Sequence, residues 1–183
     1  MLNKKLKLRK NFLKKRQLTK NRIEKEEKIN ENLINILSSI NLIVSLYVAV
    51  RSEVNLNKTA KFMHKNKKII VLPIIKNNER HLLFNEWKKD DVLQKEKYGI
   101  KIPVNKNYLE PRVLLIPMVA FDIKKNRLGY GGGFYDKTIS FLEKKNKILK
   151  FGIAFDEQES KAIPVDSFDK KMDVIFTQSR III

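Results

Sequence analysis

The stretch VLLIPMVAFDIKKNRLGYGGGFYD, residues 113–136, decides how we expect this chain to fold. It begins with an apolar run at residues 113–116, and a second short apolar run ends at Asp122. A polar segment and Arg127 follow, then a cluster of glycines, two aromatic residues and Asp136. This pattern predicts a buried strand, a hairpin-like segment and a helix that begins directly after the glycines.

The glycine cluster contains most of the glycine in the chain. Four of the six glycines lie here, namely Gly129, Gly131, Gly132 and Gly133. Because glycine loses more chain entropy on folding than other residues, this density marks backbone that needs positive φ or admits a ligand closely. Its N–H groups can hold an anion, and a following helix adds the positive end of its dipole. Residues 134–145, with Ile139 and Leu142 on one side, predict that helix.

Charged side chains on both sides of the glycine cluster suit a phosphate ligand. Arg127 can pair with phosphate oxygens, and Asp136 can hold a metal ion that binds them. We therefore interpret the segment as a nucleotide-phosphate site. It has no Walker sequence, and Phe134 stands where the dinucleotide fingerprint needs a glycine. From the residues alone, a glycine-rich hairpin that binds nothing stays open as the alternative.

The composition bounds the class of protein. A chain of 183 residues with 43% hydrophobic content fits one globular domain, residues 1–183. The chain has no cysteine, which excludes disulfides, thiol nucleophiles and cysteine metal sites. The longest apolar stretch, residues 42–50, is far shorter than the roughly 20 residues of a membrane helix. With no visible secretory signal, we expect a cytoplasmic protein, and we expect a monomer.

The formal charge of +19 raises the question of a nucleic-acid partner. The excess is mostly lysine and is spread along a chain that is also rich in asparagine and isoleucine, as a compositional bias would produce. The aromatic residues do not alternate with the basic ones in a base-stacking pattern. The sequence therefore favours a small polyanionic ligand over a nucleic acid.

The remaining pattern predicts an α/β fold. Residues 1–22 form a basic segment without an acidic residue, which predicts an N-terminal helix packed on the domain. Apolar residues recur at helical spacing over residues 29–40. Strands alternate with these helices, which indicates a single three-layer domain with a mostly parallel sheet flanked by helices. The predicted strands are residues 41–50, 69–75, 81–87, 149–155 and 174–177.

Several motifs together resemble the 5-formyltetrahydrofolate cyclo-ligase family, also called 5,10-methenyltetrahydrofolate synthetases. The signature is RLGYGGGFYD at residues 127–136, with IPMVAFD at residues 116–122 before it. Further matches occur in the family's order and spacing over nearly the whole chain. They are Lys5-x-x-Leu8-Arg9, Glu53-Val54, Phe84-x-x-Trp87, Tyr98-Gly99-Ile100 with Pro103, and Met172-Asp173-Val174.

The resemblance implies an enzyme that uses ATP and Mg²⁺ to close 5-formyltetrahydrofolate, with or without a polyglutamate tail, into 5,10-methenyltetrahydrofolate. It implies that the formyl oxygen is phosphorylated and that ADP and phosphate are released. The implied catalytic cations are Lys5, Arg9 and Arg127. The implied ATP-binding residues are Lys5, Arg9, Arg127, Leu128, Gly129, Tyr130, Gly131, Gly132, Gly133, Phe134 and Tyr135. The implied folate-binding residues are Val48, Glu53, Trp87, Tyr130, Gly131, Gly132, Gly133 and Phe134, and the implied magnesium ligands are Asp136 and Asp173.

The chain departs from the family pattern at a few positions. Ile102 stands where the family has a glutamate, and Leu56 stands where a threonine often follows Glu-Val; both bear on the folate pocket. Tyr130 and Gly132 replace basic residues that some members carry. Two alternatives stay open: a basic RNA-binding protein of the same fold without catalysis, and an ATP-dependent ligase for another acyl substrate.

Overall fold

The computed structural model describes residues 2–76, 79–95 and 101–183. Its helices are α1 (Leu2–Gln17), α2 (Arg22–Ser38), α3 (Asn57–Lys65) and α4 (Phe134–Glu143). Its strands are β1 (Val44–Ser45), β2 (Ile70–Ile74), β3 (Leu83–Glu86), β4 (Leu93–Lys95), β5 (Lys101–Pro103), β6 (Val113–Pro117), β7 (Ala120–Phe121), β8 (Arg127–Leu128), β9 (Leu149–Ile153), β10 (Val174–Phe176) and β11 (Ile181–Ile182). The family motif at residues 98–100 lies outside the described residues.

The main sheet has seven strands in the order β11-β10-β9-β6-β1-β2-β3. The five strands from β10 to β2 run parallel to one another. The two edge strands, β3 and β11, are antiparallel to their neighbours. This confirms the predicted mostly parallel sheet.

Alternate residues of the central strand face two separate cores. Val113 and Leu115 of β6 pack in one apolar cluster with buried residues of α2 and α3. Leu114 and Ile116 pack on the other face with buried residues of α4. Helices therefore cover both faces of the sheet, which confirms the predicted three-layer domain.

Helix α1 ends earlier than predicted. The basic segment was expected to form one helix over residues 1–22, but α1 ends at Gln17 and α2 begins at Arg22. The helices are separate because Asn21, just before α2, has φ 49°, which breaks a right-handed helix. Phe12 of α1 packs on Val119 and its neighbours, just past the carboxyl end of β6.

The strand predicted at residues 41–50 pairs over a much shorter length. Only Val44–Ser45 lies in the ladder, and the N–H of Leu46 makes one further bond to Val71. The chain then leaves the sheet and reverses at Arg51 and Ser52, both with positive φ. The departure places the following residues beyond the carboxyl edge of the sheet. In the described part of the chain, no helix is long and apolar enough to cross a membrane.

Candidate active site

The glycine loop, residues 129–133, joins β8 to the amino end of α4 at the carboxyl edge of the sheet. Gly131 has φ 105° and Gly133 has φ 67°, which side chains disfavour, so both positions require glycine. Gly133 is also the N-cap of α4. Gly131 and Gly132 are exposed, so the loop backbone and the positive end of the helix dipole are open to solvent.

Arg9 of α1 lies directly on the glycine loop. Its Nε donates a hydrogen bond to the Gly129 carbonyl oxygen at 2.8 Å. A Cβ atom placed on Gly131 would lie 3.2 Å from Cζ of Arg9. The loop therefore needs glycine at position 131 partly because the guanidinium comes so close. Two predicted phosphate-binding groups, 120 residues apart in sequence, meet here.

Arg127 and Asp136 form an ion pair at the base of the loop. Nη2 of Arg127 donates to Oδ1 of Asp136 at 2.8 Å, and the Arg127 side chain is 4% exposed. Burial lowers the pKa of Arg127, while Asp136 acts in the opposite direction. The backbone N–H of Lys170 also donates to Oδ1 of Asp136, at 3.0 Å. The Nε of Arg127 is buried without a partner among the described residues.

Lys5 is held by two carboxylates. Its Nζ donates to Oδ2 of Asp169 at 2.6 Å and to Oδ2 of Asp166 at 2.9 Å. Burial acts to lower the pKa of Lys5, but its hydrogen bonds to Asp169 and Asp166 outweigh burial and the pKa is raised. From the sequence, both aspartates are expected to be turn residues. They do form a turn, and they also anchor the amino end of α1.

The two predicted magnesium ligands bind different partners. Oδ2 of Asp173 accepts the N–H of Lys150 at 2.7 Å, at the amino ends of β9 and β10. Asp136 lies at the carboxyl edge, on the first turn of α4. The structure does not bring the two aspartates together. In the described ranges, no group of three or more histidine, aspartate or glutamate side chains could hold a metal ion.

Glu53 is buried, at 5% exposure, beside the glycine loop. Its Oε1 accepts the Tyr130 hydroxyl at 2.9 Å, and its Oε2 accepts the Val50 N–H at 3.0 Å. Burial raises the pKa of Glu53, although the bond from Val50 and the charge of Arg16 act to lower it. The predicted folate carboxylate therefore touches the predicted phosphate loop through one side chain, Tyr130.

Arg16 is the residue of this site that the sequence reading missed. It is 1% exposed and bonds the carbonyl oxygens of Met118 and Arg51 and the hydroxyl of Tyr130. A signal was present, because Lys5, Arg9, Phe12 and Arg16 recur at helical spacing and share one face of α1. Of these four, only Lys5 and Arg9 are assigned a function from the sequence.

Trp87 lies away from the other predicted folate residues. Its backbone N–H donates to the carbonyl oxygen of Ile70, which begins β2, so Trp87 lies at the amino edge of the sheet. Glu53 follows the carboxyl end of β1. Trp87 contacts His64 edge to face, with ring centroids 5.0 Å apart. Val48 is half-buried against the core on the α2 side of the sheet.

The chain is similar in sequence to proteins of one family. The model of the 5-formyltetrahydrofolate cyclo-ligase family matches residues 1–178. A Mycoplasma genitalium protein named 5-formyltetrahydrofolate cyclo-ligase is 30% identical over 180 residues, which cover 91% of this chain and 96% of that protein. A Haemophilus influenzae protein of the same name is 28% identical over 151 residues, covering 79% and 80% of the two chains.

A solved structure agrees with these sequence matches. The Aquifex aeolicus 5,10-methenyltetrahydrofolate synthetase superposes with a TM-score of 0.80 at 30% identity. The superposition covers 97% of this chain and 91% of that one. The family match extends over α1, the glycine loop and β10, and so includes each segment that carries a predicted site residue. The chain belongs to the 5-formyltetrahydrofolate cyclo-ligase family.

Proposed function

We propose that this protein cyclises 5-formyltetrahydrofolate to 5,10-methenyltetrahydrofolate with ATP and Mg²⁺, releasing ADP and phosphate. The observation that carries the proposal is that the glycine loop contacts both halves of the predicted site. Arg9 bonds Gly129 on one side, and the hydroxyl of Tyr130 bonds Glu53 on the other. A loop in this position can hold a triphosphate close to a folate.

The chemistry explains why ATP is needed. A formyl group on nitrogen is amide-like, so expelling its oxygen as hydroxide is unfavourable. Transfer of the γ-phosphoryl group to the formyl oxygen gives a good leaving group and ADP. The second folate nitrogen then attacks the formyl carbon, and the C–O bond breaks with departure of phosphate. Such phosphoryl transfer depends mainly on positioning and charge neutralisation.

The chain supplies both positioning and charge neutralisation on the phosphate side of the proposed site. The exposed amides of the glycine loop and the dipole of α4 favour bound phosphate. In our proposal Arg9 and Arg127 contribute positive charge beside the loop and at its base. Lys5 is the third proposed cation, and phosphate binding there has to compete with Asp166 and Asp169.

The residues at the loop also fit a magnesium ion. Asp136 uses Oδ1 for Arg127 and Lys170, while no described residue donates a hydrogen bond to Oδ2. Magnesium commonly takes one or two protein carboxylates and fills its shell with phosphate oxygens and water. Asp136 would hold the ion, which when bound neutralises phosphate charge. Asp173, at the opposite edge of the sheet from Asp136, stays a prediction from the resemblance alone.

Folate recognition is proposed for the other side of the loop. A glutamate carboxylate accepts hydrogen bonds, and a pterin ring offers N–H donors, so Glu53 suits that ring. Val48 and Phe134 are proposed apolar contacts, and Trp87 stays a prediction from the resemblance alone. The charge of +19 would attract a polyglutamate tail. We also propose that the protein acts as a cytoplasmic monomer.

A turnover assay tests the proposal. Purified protein mixed with 5-formyltetrahydrofolate should develop the absorbance of the methenyl product only when ATP and Mg²⁺ are both present. Replacing ATP with ADP, or adding a chelator, should stop the reaction. A folded sample that gives no product under the complete condition would contradict the proposed activity.

A further inference from the structure

The side chain of Arg16 joins three segments that surround the folate end of the proposed site. Nη1 donates to the carbonyl oxygen of Met118 at 3.0 Å, just past β6. Nη2 donates to the carbonyl oxygen of Arg51 at 2.7 Å and to the Tyr130 hydroxyl at 2.5 Å. At 1% exposure Arg16 is too deeply buried to touch a substrate. Any effect on the reaction must pass through these partners.

The bond from Arg16 fixes the direction of the Tyr130 hydroxyl. A guanidinium group can only donate hydrogen bonds, so the Tyr130 oxygen must accept from Arg16. The hydroxyl hydrogen is then directed at Oε1 of Glu53, 2.9 Å away. The result is an ordered series of hydrogen bonds, in which Arg16 donates to Tyr130 and Tyr130 donates to Glu53.

Arg16 also holds the backbone that leads into Glu53. Arg51 and Ser52 both have positive φ, at 47° and 65°, which non-glycine residues rarely adopt. Nη2 of Arg16 bonds the Arg51 carbonyl oxygen, and Nη1 of Arg22 bonds that of Ser52 at 3.1 Å. Arg16 therefore holds both the strained turn that leads into Glu53 and the Tyr130 hydroxyl that donates to the Glu53 carboxylate.

We propose that Arg16 is a positioning residue for folate recognition, which sets the place of the Glu53 carboxylate through Tyr130 and the turn at Arg51 and Ser52. This inference rests on the proposed function. On the phosphate side, the contacts from Arg9 to Gly129 and from Arg127 to Asp136 do not involve Arg16. Loss of the guanidinium should therefore weaken folate binding and leave ATP binding largely intact.

Steady-state kinetics of three variants test the inference: Arg16→Lys, Tyr130→Phe and the double variant. Lysine keeps the charge but cannot bond three partners from a planar fork. We expect each single variant to raise KM for the folate about tenfold or more and to change KM for ATP less than about twofold. Both substitutions interrupt the same series of hydrogen bonds. The double variant should therefore raise KM for the folate no more than Arg16→Lys alone does.

Arg112→Lys is the matched control. Arg112 precedes β6 at the opposite edge of the sheet and also bonds a backbone and a side-chain oxygen, those of Lys147 and Asn146. Its kinetics should equal those of the wild type. Equal changes in both KM values, unchanged kinetics, or fully additive effects in the double variant would overturn the inference. If Arg16→Lys does not fold, Tyr130→Phe decides: selective loss of folate affinity supports the inference, and wild-type affinity overturns it.

Direct binding separates this inference from the proposed function. If the wild type shows no turnover, the proposed activity fails, and 5-formyltetrahydrofolate binding is measured by calorimetry for wild type, Arg16→Lys and Tyr130→Phe. Wild-type binding that both variants lose, with ATP binding kept, still supports the role of Arg16. A wild type that does not bind the folate overturns both.

Discussion

The fold buries the side chain of Glu53, and burial makes ionisation of its carboxyl group less favourable. Burial raises its pKa, against the Val50 N–H, the Tyr130 hydroxyl and the positive charges of Arg16 and Arg51. Because the folded-state pKa exceeds the unfolded one, folding favours the protonated form. This pKa difference adds to the free energy of unfolding at acidic pH, and the contribution is lost as the pH rises through the folded-state pKa of Glu53. Above that pKa the ionised carboxylate therefore costs stability.

We predict that Glu53→Gln reveals this linkage. Glutamine has the same shape but does not titrate, so wild type should gain stability relative to the variant as the pH falls from 7 to 4. The gain is about 1.4 kcal/mol for each unit by which the pKa is raised. Urea unfolding at several pH values measures it, with the exposed Glu31→Gln as the control. A pH-independent difference for Glu53→Gln would contradict the prediction.

Arg127 is predicted to be indispensable for turnover. Arg127→Ala removes the proposed phosphate cation and should reduce the rate at least about 100-fold. The protein should still fold, because Asp136 keeps its bond from the Lys170 N–H. Turnover and circular dichroism measure the two effects, and Arg180→Ala, which removes an exposed ion pair with Glu159, is the control. A near-normal rate would show that the loop has been misassigned.

At the scale of residues, sequence reasoning found groups but not their partners. It placed Lys5 and Arg9 on one helix face because a four-residue spacing dictates it. It could not find Asp169, because the contact joins residues 164 apart and depends on the tertiary fold. Trp87 shows the same limit, since its distance from Glu53 follows from the direction of β3, which apolar patterning does not specify.

Among the elements, the glycine loop allows two alanine variants to be compared directly, because its glycines differ in their surroundings. A Cβ at Gly131 would meet the Arg9 guanidinium at 3.2 Å and adopt φ 105°, whereas a Cβ at Gly129 meets nothing within 4 Å. We predict that Gly131→Ala displaces Arg9, weakens ATP binding by about tenfold, and costs about 1 kcal/mol in stability. Calorimetric titration with ATP and thermal unfolding measure these effects.

Gly129→Ala is the control for that variant. It adds the same methyl group two residues away, in open space, so ATP affinity should stay within about twofold of the wild type. Equal losses in both variants would mean that the loop tolerates no side chain at all. Unchanged affinity in Gly131→Ala would contradict the proposed contact between Arg9 and bound phosphate.

Regular elements were predicted to within a few residues where local signals were strong. The glycine cluster marked the start of α4, and the apolar run at residues 113–116 marked β6. The prediction failed for residues 41–50, which are mostly apolar although only Val44–Ser45 pairs in the ladder. Apolarity there reflects packing against other elements, such as Leu46 and Tyr47 in the core, so it does not report the end of a strand.

For the whole molecule, the alternation of strands and helices was enough to predict the layered parallel fold, whereas the antiparallel edges were not predicted. The charge of +19 leads to a separate expectation. It should produce non-specific attraction to RNA at low salt, with affinity falling about 10³-fold or more between about 50 and 200 mM salt. Turnover of the folate should persist at the higher concentration.

A fluorescence anisotropy titration of labelled single-stranded RNA over this salt range measures the expectation, with ATP added as competitor. RNA binding that survives about 200 mM salt and ignores ATP would favour the RNA-binding alternative. Binding that disappears with salt, while the methenyl product still forms, separates the general positive field of the protein from its function.

Helix α1 has a consequence for the order in which a newly made chain matures. Its first turns emerge from the ribosome early, yet Lys5 has its partners only once Asp166 and Asp169 have been translated. Closing so long a loop is entropically costly and tends to come late in folding. We therefore expect the proposed phosphate side of the site to be completed late, and a nascent chain that stalls before these aspartates lacks the anchor of its first helix.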